Sequence, residues 1–476
     1  MKKTKAPAYQ LKPKEKILFS QVICTHPVLQ EDALIKKNYY KMLVSSMDTV
    51  TAADYISASL KLYRKKLGAG NLNMNFKLKM PKYLSVLLPL DIIAVCGYDK
   101  ALLASPEYQK LLKQVFRITD ISERTQNAIR MLYQDFTSDH PAWNIILQSC
   151  RKKSIYSWIR LLQKNIAFAE QKPFSILVTA TMSAGKSTLI NALSGKKIAK
   201  TMNEACTGKI HYIYHKPFED GLVGKWQKKP QLDAEKYILS EKEASISQSS
   251  AESVYFSGML KNERIVLIDS PGVNSAIYDK HSKITEKLIS VGNFDMVLYL
   301  VNYTADSTDD NFSHLERLKT LVNDTIPVIF VVNKFDEYES GDLLPDEKMK
   351  LLKTDIEKAG FKNPKIYPVS ALTAFNSRTL FAGMNFSDTD TIMKLMQNGE
   401  TLKQFSSLQK LIQTDSLHLE QYYSRHTAQK NDIQKMLDIA SGENDVSSQA
   451  LIHSGIYSLE TEIISYIKKQ KQKGKI

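Results

Sequence analysis

At 476 residues, with 43% hydrophobic and 24% charged positions, the chain has ordinary globular composition and is too long for one core, which predicts two or three domains. Its net charge of +15 is unevenly placed: residues 1–170 hold 27 Lys+Arg against 13 Asp+Glu, and the remaining 306 hold 38 against 37. Four scattered cysteines, Cys24, Cys96, Cys150 and Cys206, form no CxxC pair, which argues against a disulfide framework or zinc-finger site and fits a reducing compartment.

Residues 1–16 are Lys- and Pro-rich, the composition of a loose arm, and no signal-peptide apolar run follows. From about 28 to 170 the spacing is helical. Thr51 is placed to cap a helix carrying Ile56, Leu60, Tyr63 and Leu67, which Gly68 and Gly70 would stop. The apolar run Tyr83–Cys96 contains Pro89 and Asp91. It falls short of the ~20 residues that cross a bilayer, so it reads as a buried helix or strand pair. Ser105-Pro106-Glu107 combines a cap, a first-turn proline and an early acid, ahead of Leu111, Leu112, Val115 and Phe116. Ser122 is placed to cap a helix with Ala128, Met131 and Leu132, and Lys153–Ala169 carries Ile155, Trp158, Ile159 and Leu162.

These elements predict a basic, mainly helical domain over 1–170, in a cytoplasmic protein that is at most peripheral to a membrane and has no transmembrane segment. The runs Lys61-Leu-Tyr-Arg-Lys-Lys66 and Arg151-Lys-Lys153 read first as solvated helix faces. Any partner they bind would be anionic: a lipid surface, an acidic protein or nucleic acid.

From Phe174 the pattern changes. Ile176–Val178, Ile265–Ile268, Met296–Val301, Val328–Val332 and Lys365–Tyr367 are buried-type β runs separated by helical stretches. They predict a mostly parallel sheet with helices on both faces. Ile210–Tyr214 and Val254–Phe256 are expected to add an edge hairpin. Residues 376–450 read as a helical insertion with a loop at Gly442–Asp445. Ser454-Gly455 then leads into an amphipathic helix with Ile456, Leu459, Ile463 and Ile467, expected to return to the sheet.

Five boxes on this scaffold point to a guanine nucleotide. Ala180-Thr-Met-Ser-Ala-Gly-Lys-Ser-Thr188 joins a strand to a helix over Ser187–Leu193 that Gly195 closes. That is the setting of a phosphate-binding loop. Backbone N–H groups of Ala184, Gly185, Lys186, Ser187 and Thr188 would cradle phosphates, Gly185 would allow close approach, and Lys186 would neutralise β- and γ-oxygens. The Ser187 hydroxyl would bind Mg2+. Asp269-Ser-Pro-Gly272 ends a strand; Asp269 would hold Mg2+ through water, and the Gly272 amide would meet the γ-phosphate. Asn333-Lys-Phe-Asp336 would set base identity. Its Asp336 carboxylate accepts from guanine N1–H and the 2-amino group, Asn333 supports the loop and contacts the base, and the Lys334 stem lies along the ring. Ser370-Ala371 would offer backbone N–H groups to guanine O6. Thr207 is the candidate threonine for Mg2+ and the attacking water, with Thr201 as competitor.

Ser183 marks a resemblance. The run through Thr188 is similar to the GxxSxGK[ST] loop of the dynamin superfamily of large GTPases, especially its bacterial members, and Met296–Val301 with Thr308-Asp-Asp310 resembles that family's strand and acidic loop. The resemblance covers about 172–375 and the closing helix near 456–470. It implies an α/β P-loop GTPase domain over 171–476, with GTP and GDP as ligands. It also implies that Ser183 organises a monovalent cation and the attacking water when two GTPase domains form a homodimer across their nucleotides. Ala180 replaces the first glycine of the loop, and Met182 stands where eukaryotic dynamins have Gln. The helical mass precedes the GTPase domain and little follows it, so the resemblance carries nucleotide chemistry and not membrane fission. The leading expectation is a GTP hydrolase whose cycle moves its helical domains. The alternative is a GTP-held scaffold with negligible hydrolysis, which turnover distinguishes.

Overall fold

The computed structural model describes residues 16, 19–48, 50, 53–69, 81–150, 152–180, 183–199, 209–215, 224–226, 245–251, 263–271, 285–290, 292, 294–304, 309–337, 345–381 and 454–473. These fall into two units, one within Met1–Lys172 and one from Pro173 onward.

The first unit is helical. After single 3-10 turns at Ser20–Thr25 and Pro27–Gln30 come α1 (Ala33–Met47), α2 (Asp54–Lys66), α3 (Leu87–Val95), α4 (Lys100–Ala104), α5 (Pro106–Ile118), α6 (Glu123–Gln134), α7 (Ala142–Gln148) and α8 (Lys153–Ala169). The α5 start is built as its sequence predicts: Pro106 opens the helix and the Ser105 hydroxyl accepts from the Tyr108 N–H at 3.5 Å. Thr51 lies outside the described residues, and α2 begins after Ala53 with Asp54 in its first turn. Ser122 occupies the cap position of α6, but its hydroxyl pairs with that of Thr125 at 2.9 Å and caps no backbone N–H. Met131 is 47% exposed. The buried stripe of α6 is Thr125, Ala128, Ile129, Leu132 and Tyr133, and at 3.6 residues per turn Met131 falls outside it.

The apolar run around residue 90 takes the helical option. Every residue of α3 is buried, including Asp91. Two phenols donate to its carboxylate, Tyr39 Oη at Oδ2 and Tyr63 Oη (2.7 Å) at Oδ1, and His26 Nε2 lies 2.9 Å from Oδ2. His26 Nδ1 accepts from the Val28 N–H at 3.1 Å. A buried carboxylate is tolerable when its oxygens are so supplied. Burial and the neighbouring carboxylate hold both phenols far above their ordinary range.

The second unit is an eight-stranded sheet: β1 (Phe174–Ala180), β2 (Lys209–His215), β3 (Gly224–Trp226), β4 (Ser245–Ala251), β5 (Ile265–Asp269), β6 (Met296–Asn302), β7 (Val328–Asn333) and β8 (Lys365–Val369), in the order β3-β4-β2-β5-β1-β6-β7-β8. The run β5-β1-β6-β7-β8 is parallel throughout. One face is covered by α9 (Lys186–Ser194), α12 (Ala371–Phe381) and α13 (Ile456–Gln472), the other by α10 (Asp309–Leu321) and α11 (Pro345–Lys358). The predicted fold class is therefore observed.

The edge hairpin is not formed as predicted. β2 lies antiparallel to β5 on one side and parallel to β4 on the other. A parallel partner needs a crossover rather than a tight turn. Val254–Phe256 lies outside the described residues, as does the predicted insertion from 382 to 450. Its first residues belong to α12, which packs into the core. Among the described residues, no helix is long and apolar enough to cross a membrane.

The closing helix α13 packs against the sheet as its spacing predicts, with Ile456, Leu459, Ile463 and Ile467 buried beside Ile176 and Val178 of β1. A buried ion pair fixes it. Arg378 Nη1 of α12 donates to Glu460 Oε1 at 2.8 Å and to Ala192 O, near the end of α9, at 2.6 Å. Gly455 starts α13 at φ +78, where a Cβ would overlap Pro368 O. Removing one partner of a buried pair strands the other, at about 3–5 kcal/mol. Arg378→Met and Glu460→Gln should each lower stability by roughly that amount in urea unfolding, whereas the double variant should recover part of the loss.

Candidate functional site

Strand register gathers the boxes. In the parallel ladder Val178 sits beside Asp269, Ala180 beside Leu300, Asn302 beside Asn333, and Asn333 beside Val369. Ala180, Asp269, Asn333 and Ser370 thus leave the sheet at its carboxyl edge, where ligands of open α/β sheets bind.

The phosphate-type loop is bent by two left-handed residues, Ser183 at φ +59 and Gly185 at φ +85. Alternation of this kind turns successive N–H groups towards one point. Ser183 is exposed, and the buried Ala184 lies between the two. α9 then begins at Lys186, with Ser187 and Thr188 in its first turn, and ends on Gly195 at φ +63. The first-turn N–H groups of a helix have no acceptor within it, so this terminus is suited to an anion.

Asn333 ties the loop to the base-reading boxes. Its Nδ2 donates to Ala184 O at 2.8 Å, and its Oδ1 accepts the Ala371 N–H at 3.0 Å. Gly185 makes room for this amide: a Cβ there would overlap Asn333 Nδ2. Lys334 takes φ +68, and its Nζ lies 3.3 Å from Glu337 Oε2. Asp336 sits on a single 3-10 turn, Phe335–Glu337.

Ser370-Ala371 follows β8 and opens α12. The Ser370 N–H donates to Ser454 O at 2.8 Å and the Ala371 N–H to Asn333. Both groups assigned to guanine O6 are engaged within the protein, because Ser370 is the first residue of a helix cap and not of an open loop.

Asp269 and Lys186 form the charged floor. Asp269 is buried, and among the described residues its Oδ1 has no hydrogen-bond partner. Burial pushes its carboxyl up to about 6, with Lys186 opposing the rise. Burial likewise lowers the Lys186 ammonium, against the pull of Asp269. A buried carboxylate oxygen lacking a donor fits a cation, and the nearby Ser187 hydroxyl fits the same oxygen-ligand chemistry of Mg2+. The turn after Asp269 is pinned: Ser270 donates twice to Val178 O, at 3.2 and 3.1 Å, and Thr285 Oγ1 donates to Pro271 O at 3.0 Å. Thr207, Thr201, Met182 and Gly272 lie outside the described residues.

Two groups were missed by motif reading. Thr373 Oγ1 donates to Asp336 Oδ2 at 3.3 Å. His314 of α10 pairs its Nδ1 with the Tyr299 hydroxyl of β6 at 2.8 Å. Burial, then Lys186, push His314 down to about 4; Glu286 opposes and Arg317 adds to the shift. The only sequence trace of Thr373 is its place three residues after Ser370; His314 has none.

Residues 176–335 match the model of the dynamin family. The chain is 23% identical over 242 residues to a probable transmembrane GTPase, FZO-like, chloroplastic, of Arabidopsis thaliana, a match covering 51% of this chain and 24% of that protein. It is 25% identical over 214 residues to a bacterial dynamin-like protein of Nostoc punctiforme, covering 40% and 29%. A chain from an oligomerised bacterial dynamin pair superimposes with a TM-score of 0.32 and 15% identity, over 92% of this chain and 67% of that one. The match spans between about a quarter and a third of the length of these two curated relatives.

Gly185→Ala should displace Asn333 and weaken guanine-nucleotide binding by about 100-fold, as read by titration with fluorescent GDP. His314 contributes a pH dependence of definite sign. It is neutral when folded and accepts a proton near 6.5 when unfolded, so protonation favours unfolding. The His314 contribution should be flat above that value and fall, by on the order of 3 kcal/mol, as pH drops from about 6.5 to about 4, while Asp269, raised to about 6, contributes with the opposite sign; the His314 part is read as wild type minus His314→Gln. Urea unfolding across this range should show the stability of the wild type relative to His314→Gln falling as pH drops.

Proposed function

We propose, from a nucleotide-binding unit that belongs to the dynamin family, that the chain is a Mg2+-dependent GTP hydrolase. The observation that carries this reading is the Asn333 amide, which joins the phosphate-type loop at Ala184 to the base-reading segment at Ala371. Phosphate binding and guanine selection thereby become properties of one site.

In this reading catalysis is positioning and electrostatics. Backbone N–H groups from Ala184 to Thr188 hold the phosphates, and the Gly272 amide meets the γ-phosphate. Lys186 neutralises charge that builds on the bridging and γ-oxygens. Ser187, Asp269 and Thr207 would hold Mg2+, which when bound supplies further neutralisation of the phosphate oxygens. Ser183 and Thr207 orient the attacking water, and Ser183 is placed in an exposed left-handed turn where a second protomer or a monovalent cation can reach it. Asp336 selects guanine, flanked by Lys334.

We assign 1–170 and 171–476 as the two functional domains. The excess positive charge of 1–170 would meet an anionic partner, with binding that weakens as salt rises. The GTPase unit would act as a homodimer across the nucleotides.

The test is GTP turnover as a function of protein concentration, with Mg2+ and with K+ or Na+. Specific activity is expected to rise with concentration in the wild type and to fall by about 100- to 1,000-fold in Lys186→Ala and in Ser183→Ala. Tight GTP binding without turnover at any concentration would replace the hydrolase by a nucleotide-held scaffold.

A further inference from the structure

We propose that Thr373 is a positioning residue for guanine selection: its hydroxyl fixes the plane of the Asp336 carboxylate. The inference rests on the guanine-nucleotide reading above and adds a residue that belongs to none of its motifs.

Asp336 stands on a one-turn 3-10 helix and is partly exposed. A carboxylate in that position rotates about its last torsion unless something holds it, because that torsion is broad. Reading guanine demands the opposite. The N1–H and the 2-amino group donate in parallel, so both carboxylate oxygens must lie in the plane of the base. A further donor to one oxygen, outside the two positions the base uses, would set that plane.

Thr373 supplies such a donor from a rigid place. Its side chain is fully buried in the first turn of α12, and its Oγ1 lies 3.3 Å from Asp336 Oδ2. Ser370 Oγ donates to Thr373 Oγ1 at 2.8 Å, and Thr373 Oγ1 in turn donates to Asp336 Oδ2. Ser370 Oγ itself accepts the Thr373 N–H at 3.3 Å, closing the helix cap. The Ser370 N–H is anchored on Ser454 O at 2.8 Å, at the start of α13. The relay therefore runs from the framework of two core helices to one oxygen of Asp336. A single hydroxyl makes the cap and aims the reader at once.

GDP and IDP separate this role from a merely structural one. IDP keeps N1–H and O6 but lacks the 2-amino group, so it engages one carboxylate oxygen and tolerates rotation. Thr373→Val removes the hydroxyl at nearly constant volume. Titration of the full chain with GDP and with IDP should show GDP affinity about tenfold weaker in this variant and IDP affinity changed by less than about threefold, so that the GDP:IDP preference falls. Thr373→Ser, which restores the hydroxyl, should return the preference to the wild-type value. Should the valine variant fail to melt cooperatively, Thr373→Ala carries the same expectation without added bulk. An unchanged GDP:IDP ratio in a folded Thr373→Val or Thr373→Ala protein, or a ratio in Thr373→Ser as low as in Thr373→Val, overturns the inference while leaving the guanine site intact. A wild-type chain that binds GDP no better than ADP overturns the nucleotide reading and this inference with it.

Discussion

One planar amide organises the nucleotide end of this protein. Asn333 spends its donor on Ala184 and its acceptor on Ala371, so segments from three different strands are held at fixed spacing. The arrangement depends on what is missing beside it: Gly185 has no Cβ, and no other residue leaves the amide room. Each strand end alone would be a short loop with independent motion. One side chain instead ties the loop at Ala184 to the segment at Ala371.

The same end of the sheet concentrates electrostatic strain. Asp269 and Lys186 are both shifted towards their neutral forms by burial, and each partly relieves the other. His314 is pushed towards its neutral form by burial and by the Lys186 charge. Such shifts cluster where a ligand is meant to complete the charge balance. The contrast with Asp91 in the helical unit is instructive. That carboxylate is equally buried, yet each of its oxygens receives a phenol proton, from Tyr39 and from Tyr63. A satisfied buried acid is a framework element; Asp269 has one oxygen without a donor among the described residues.

Stability is supplied from behind the site. Arg378 and Glu460 lock α12 and α13 together and to the end of α9, while Gly455 lets α13 start hard against β8. The closing helix is thus connected twice to the nucleotide end: through Arg378 to the phosphate-loop helix, and through Ser454 to the cap at Ser370. That coupling is why residues far along the chain bear on how Asp336 is held.

Much was legible in the sequence because it is local. The five parallel strands were visible as buried β runs, α5 as a cap-proline-acid start, α13 as a 3.6-residue stripe, and the phosphate loop as a glycine–lysine–hydroxyl string at a strand–helix junction. These features depend on backbone propensity, burial periodicity and turn chemistry within a few residues. What only the tertiary structure decided depends on residues distant in the chain. β2 pairs with β5 and β4 rather than in a hairpin; Met131 faces outward because the stripe beside it is already complete. The Ala371 N–H serves Asn333 and not an open base site, and Thr373 reaches Asp336 across 37 residues. Sequence determines which side chains a strand end can present. The partner each one meets is set by register and packing, which bring together atoms that no local pattern relates.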